Sequence, residues 1–354
     1  MKKLFIFSLI LSTLTHNIYC NSILNNVSIS GTYLGLFNII ENNQSQFDYA
    51  TNIDFNYTIS EEVSGIIQLQ TGAGNGSIDF EGPEAVLTDI TLEYAPKNMG
   101  LNVTLGSFDV PFGHETDKLT NNADTFNNIH FFNSLPYSAL AGAVGTLNTL
   151  GIKTEYKLSN AHFISSITNG TSETANNNNN TFQTTAQLSL FTNENGYRLT
   201  TSILNSDDSN DTAGTSLNSN LTAYLLEFDL PIDVIKLNIN YGNFNFDDNT
   251  NSTTDSIKTF GIGISTQLKS LFAGIKSSFW RPDGATMSTS APTVPGLLSS
   301  TSTSANNDQY QLSIGYHLSK HSMIRTEYII NNYLFSNSTT QTTAGFISGI
   351  NVRF

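Results

Sequence analysis

The side chains able to do chemistry in this chain are charged, few, and set in segments of alternating polarity. Lys153, Arg198, Lys236, Lys276, Arg325 and Arg353 alternate with the apolar pairs Ile152/Tyr156, Tyr197/Leu199, Leu237/Ile239, Ile275/Phe279, Ile324/Tyr328 and Val352/Phe354. Successive side chains of an extended strand point to opposite faces, so the bases and the apolar groups occupy different sides. Asp109, Glu115, Asp117 and Asp124 gather in one intervening stretch. A basic wall facing an acidic loop across a narrow aqueous gap would create a transverse field that orients dipolar solutes and filters ions. That is electrostatic sorting, with no bond made or broken. A plainer reading stands beside it. Arg or Lys facing hydrocarbon at mid-bilayer costs about 2–4 kcal/mol, so charges on membrane strands turn inward whatever their role. Asp54, Asp89, Glu93, Glu155, Glu227 and Glu327 fit this second reading equally and would pair with the bases.

Signals for catalysis or metal binding are poor. His114 and His130 lie in one long join, His162 beside a turn, and His317 and His321 near another, without ligand partners at useful spacing. Serine is so frequent that its nearness to histidine carries no information. The chain is therefore read as a non-enzyme without a cofactor or structural metal. Asp79, Glu81 and Glu84, or Asp207, Asp208 and Asp211, would suit surface Ca²⁺ or Mg²⁺ bridging to anionic glycolipid, and equally suit solvated charges.

The elements that must position these residues are strands. Period-2 segments fall at roughly 27–38, 47–59, 64–72, 85–95, 101–109, 148–157, 161–169, 181–191, 197–205, 219–229, 234–245, 256–268, 271–280, 308–318, 322–334 and 342–354. Each is near the 9–11 residues that a tilted strand needs to cross a bilayer. Their joins alternate in length. Ser60–Val63, Pro96–Gly100, Leu158–Asn160, Thr192–Gly196, Leu230–Asp233, Lys269–Ser270 and Ser319–His321 are short; Ala73–Glu84, Gly170–Asn180, Ser206–Asn218, Phe246–Asp255 and Arg281–Asn307 are long and polar. This predicts an all-β fold: a transmembrane antiparallel β-barrel of about sixteen strands, with short periplasmic turns and long outer loops. Sixteen strands leave an aqueous channel where eight would be filled by side chains. A secreted solenoid would repeat at a fixed short period, and none is present.

Composition and termini agree. Lys2 and Lys3 precede an apolar run from Leu4 to Leu14, shorter than the 20 or so residues of a spanning helix. Residues 1–20 read as a signal peptide with an unclear cleavage point, and 21–354 as one barrel domain. Cys20 would leave with it, or anchor a lipid despite the bulky Tyr19. Formal charge is −14, and about −16 after processing removes two bases, which argues against nucleic acid as a partner.

The longest join, 110–147, differs from the others in its apolar content: Phe126, Phe131, Phe132, Leu135, Tyr137, Leu140 and Val144. Either it folds into the barrel and narrows the pore, or it forms a hydrophobic surface loop or subunit contact. It opens with Gly106-Ser107-Phe108-Asp109-Val110-Pro111-Phe112-Gly113, in which Pro111 cannot donate to a ladder and Gly113 permits a sharp bend, so the strand leaves the wall there. This Gly-x-Phe-x-x-Pro-Phe-Gly stretch, with Ile167-Thr168-Asn169-Gly170, resembles the phosphate-selective porin-like superfamily and related general porins of Gram-negative outer membranes. Their third outer loop forms an eyelet at this position. The final strand, with Ala344, Phe346, Ser348, Ile350, Val352 and Phe354 on one face, is similar to outer-membrane barrels whose terminal Phe is read by the barrel assembly machinery.

The resemblance implies a bacterial outer-membrane porin, surrounded by lipid and lipopolysaccharide, usually a homotrimer, passing small hydrophilic solutes by passive diffusion. Few bases and many acids make a cation preference the expectation, against the many inward bases of phosphate-selective relatives. The alternatives are a substrate-selective channel and a non-transport adhesin or structural barrel.

Overall fold

The computed structural model describes residues 26–40, 46–72, 85–113, 148–169, 182–192, 196–208, 219–248, 253–283, 304–335 and 339–354. They form sixteen strands: β1 (Val27–Ile40), β2 (Gln46–Thr58), β3 (Val63–Gly72), β4 (Ala85–Tyr94), β5 (Leu101–Asp109), β6 (Asn148–Lys157), β7 (Ala161–Thr168), β8 (Gln183–Phe191), β9 (Arg198–Asp208), β10 (Ser219–Ile232), β11 (Ile235–Asp248), β12 (Thr253–Leu268), β13 (Leu271–Asp283), β14 (Ser304–Ser319), β15 (Ser322–Phe335) and β16 (Thr340–Arg353). Each strand pairs antiparallel with its sequence neighbours, and β1 pairs with β16, so the sheet closes with no free edge. Closure is what lets a sheet live in lipid, because every backbone N–H and C=O finds a partner on an adjacent strand.

Side chains alternate between two surfaces. In β8, Gln183, Thr185, Gln187 and Ser189 are buried on the inner side, while Leu188 and Leu190 stand exposed on the outer. In β16, Phe346, Ile350 and Phe354 face outward, and Ile347, the apolar exception on the other face, is 3% exposed. The outer surface carries Ile90, Leu105, Ile152, Ile167, Tyr224, Leu226, Ile264, Ile275, Leu312 and Ile314, all exposed. A continuous apolar surface of this kind is incompatible with water and matches the hydrocarbon band of a transmembrane barrel. An outward ladder marks one border of the band. Phe260 stacks on Phe279 at 6.1 Å, Tyr310 meets Phe279 edge-on at 6.4 Å, and Arg281 lies over Phe279 while pairing with Asp308 at 2.5 Å. From Arg281 back to Leu271 is roughly 25 Å of tilted strand, the height of a barrel's apolar belt.

The joins follow the expected alternation. β10 and β11 are linked by Asp233 and Val234, β12 and β13 by Lys269 and Ser270, β14 and β15 by Lys320 and His321. Asp233 and Lys269 take the left-handed conformation that such tight turns demand. Several boundaries differ from the sequence reading. β10 continues through Pro231 to Ile232, because its pairing with β9 has ended at Asp229–Arg198 and no ladder bond is asked of the proline nitrogen. β12 and β14 begin at Thr253 and Ser304, several residues earlier than their patterns suggest, since paired backbone runs on into Asn, Ser and Thr beyond the apolar band.

The β1–β16 ladder runs on to the last residue. Gly31 N donates to Phe354 O and Phe354 N to Gly31 O, each at 2.9 Å. A Cβ on Gly31 would lie 2.4 Å from the Asn52 carbonyl oxygen and 2.7 Å from the Phe354 ring, so only glycine lets that ring lie across the junction.

Candidate functional site

The inner wall divides into two halves of different chemistry. Among the residues whose side chains are described, most inward charges lie toward the short turns, with Lys276 near mid-strand. Arg198 opens β9; Lys236 is second in β11, Arg325 fourth in β15 and Lys276 sixth in β13; Lys153 is fifth from the end of β6. Arg353 ends β16. The carboxylates lie at the same level: Asp54, Glu93, Glu155, Glu227, Asp229 and Glu327. Interleaving follows directly. Lys153 Nζ is 3.2 Å from Glu155 and Lys236 Nζ 3.0 Å from Asp229, while Glu155 also meets Lys157 at 3.8 Å and His162 Nε2 at 3.4 Å. Lys153 further lies 5.5 Å over the Phe108 ring, and Arg198 6.0 Å over Phe191. Arg325 and Glu327 sit two residues apart on one inner face, both almost fully buried. The bases thus stand among wall carboxylates in nearly equal number. Asp109 closes β5 opposite Asn148, and Glu115, Asp117 and Asp124 lie outside the described residues. Asp79, Glu81, Glu84, Asp211, His114, His130 and residues 1–20 lie outside them too.

Among the residues whose side chains are described, the half nearer the long loops is uncharged. On β9–β12 it is apolar: Leu204, Ala223, Phe244 and Ile257 form one register row, with Leu221 and Leu225 on either side of Ala223 along β10. Such residues would not face lumenal water unless something covered them. The chain leaving β5 meets this row at Phe244. Phe112 is 0% exposed, its ring 6.1 Å from that of Phe244 on β11. Gly113 N donates to Ser202 Oγ on β9 at 2.9 Å, and Val110 is likewise buried. In the wall β5 touches only β4 and β6, so contacts to β9 and β11 are reached only through the interior. Gly113, next after Phe112, adopts φ +81°, a left-handed backbone that glycine takes without strain. The inward apolar socket was not singled out by the sequence reading. Its signal is present as apolar residues on both faces, Ile203-Leu204 and Leu225-Leu226, where a water-lined strand would alternate.

No family model matches this chain, and no curated protein matches it by sequence. Its fold, by contrast, is shared with solved outer-membrane proteins. Similar structures include an anion-selective porin from Comamonas acidovorans (TM-score 0.65, 11% identity, covering 93% of this chain and 99% of that one). The outer membrane channel DcaP of Acinetobacter baumannii is also similar (TM-score 0.63, 12% identity, 93% and 97%). A trimer form of OmpT, an outer membrane protein of Vibrio cholerae, follows (TM-score 0.60, 11% identity, 93% and 99%). The architecture is therefore the sixteen-stranded barrel of outer-membrane porins.

Proposed function

We propose that this protein is a porin of the bacterial outer membrane, forming a water-filled channel for passive diffusion of small hydrophilic solutes. The observation that carries the reading is a closed sixteen-stranded wall with apolar residues outside and charged or amide residues inside. Residues 110–147 act as the constriction, rooted inside the barrel by Phe112 and Gly113. The short turns face the periplasm. After the signal peptide is removed, the assembly machinery reads the final strand through Phe354, and the barrel associates as a homotrimer in lipid and lipopolysaccharide. The OmpT trimer form, with the same fold, supports that assembly.

Ion preference is cationic, and its source is specific. Wall charges near the turns are matched, so the acid excess of 29 over 15 must act from elsewhere, with Glu115, Asp117 and Asp124 of the constriction foremost. Planar-bilayer recording of the purified processed protein tests both levels. Stepwise openings with cation-biased reversal potentials are expected, and the E115Q/D117N double variant should shift the permeability ratio toward unity. An unchanged ratio and conductance in that variant would remove the acidic constriction. A total lack of openings would remove the channel.

A further inference from the structure

A solute in a pore can touch only the wall that water reaches, and exposure on the inner face of this barrel is uneven. On β8, β9, β10, β13 and β15 every described inner side chain beyond the turn rim is buried, among them Gln187, Ser202, Leu225 and Glu327. Lys276 and Arg325, which alternation turns toward the lumen, are 5% and 1% exposed. The inner face of β2–β7 differs in its turn half. Asp54 on β2, Glu93 on β4, Asn102 on β5, Lys153 and Glu155 on β6, and His162 on β7 are all partly exposed. For Lys153, Glu155 and His162 the exposed share of the side chain is 20%, 15% and 24%. Thr91 and Thr104 lie buried among them.

This accessible wall carries its charge in two banks. Asp54 and Glu93 make no ion pair among the described residues, and Asp54 only accepts a hydrogen bond from Gln68 Nε2 at 2.7 Å. No lysine or arginine stands on the described inner face of β2–β5. On β6 the balance is reversed: Lys153 and Lys157 meet a single carboxylate, Glu155, at 3.2 and 3.8 Å, so one ammonium charge is left over. Wall charge is thus balanced in total number and unbalanced in place. The banks adjoin, because Glu93 pairs in register with Thr104 on β5 and Thr104 with Lys153 on β6. Two ladder spacings put about 9–10 Å between the backbones that carry the acid and the base. An acid bank alone would attract any cation, and a basic bank any anion. Side by side they favour a solute that carries both charges, since each end meets its opposite.

We propose that solutes crossing the turn half of the barrel pass along β2–β7, and that this wall favours small zwitterions, the class of free amino acids and short peptides. Asp54 and Glu93 receive the ammonium end, and Lys153, backed by Lys157, receives the carboxylate. Glu155 holds the two lysine ammonium groups at one place without cancelling both. Lys276, Arg325 and Glu327 take no part in selection, because no solute reaches them. This rests on the channel reading above and specifies its route and the solute class it favours.

Thiol mapping tests the route. The C20S background removes the one native thiol, and single cysteines are then placed on the two walls of the full-length processed protein. N56C on β2 and S64C on β3 should react with a charged methanethiosulfonate and lower single-channel current. Q187C on β8 and S278C on β13 should react about a hundred-fold more slowly, because a covered thiol waits for local opening. Equal rates on both walls would overturn the route. Swelling of proteoliposomes tests the solute class. Glycylglycine should enter several-fold faster than N-acetylglycinamide, a neutral molecule of similar size, and E93Q and K153M should each bring that ratio toward one. A ratio of one in the parent, or a ratio untouched by both variants, would overturn the zwitterion preference and leave the porin standing. No swelling with either solute would overturn the channel reading, while labelling of the four thiols, read by mass, still decides which wall is wet.

Discussion

Replacing Phe112 by alanine tests whether the chain after β5 is anchored inside the barrel. The side chain is fully buried against Phe244, and Gly113 adds a hydrogen bond to Ser202 immediately afterwards. Truncating a buried phenylalanine costs about 3–5 kcal/mol in a packed core. The lower end applies here, because water can refill the site from the lumen. About 3 kcal/mol raises the population of the released segment by roughly a hundred-fold. S202A strips the partner from a buried amide and should cost about 1–3 kcal/mol, acting in the same direction more weakly. The assay is single-channel recording with analysis of open-state current noise, combined with exclusion of graded polyethylene glycols. F112A should raise noise and admit larger polymers, S202A should fall between it and the parent, and F260A, a comparable ring on the lipid-facing surface, should match the parent. If F112A leaves noise and size limit unchanged while the protein still inserts, the segment does not govern the pore and its docking is only structural.

Two further outcomes follow from the same geometry. Ile275 is 61% exposed on the outer face near mid-strand, so I275K should destabilise the folded barrel by about 2–4 kcal/mol in lipid, read as a lowered urea midpoint in vesicles. The inward S313K should be far milder, and equal effects would contradict the assignment of faces. At the seam, G31V forces a side chain into the Asn52 carbonyl and the Phe354 ring, and should cost about 1–3 kcal/mol and reduce the yield of folded barrel. The comparison is G35A, whose added Cβ meets chiefly the mobile end of Tyr33. Equal stability of the two variants, measured by heat-dependent mobility in detergent, would show that Phe354 does not hold the closure.

Strand number, strand faces and the layout of joins were legible from the chain alone, because a barrel in lipid imposes period-2 alternation on every strand. The inward placement of Lys153, Arg198, Lys276 and Arg325 could be read from neighbours such as Ile152, Leu199, Ile275 and Ile324 without coordinates. The strand-exit motif was readable for the same local reason: Pro111 and Gly113 are backbone constraints, and backbone constraints are written in residue type.

What pattern could not supply was distance across the barrel and height along its axis. Alternation places Lys236 and Asp229 on an inner face but says nothing of their pairing, which depends on the register of β10 against β11. It does not reveal that the described wall charges gather toward the short turns, because level depends on where each strand begins. Nor does it join Phe112 to Phe244, or line up Thr259, Trp280 and Asn307 on three successive strands. Those neighbours are brought together by closure of the sheet, a long-range event set by all sixteen pairings at once. Sequence therefore determined which way each side chain points, and the tertiary structure decided what it meets there.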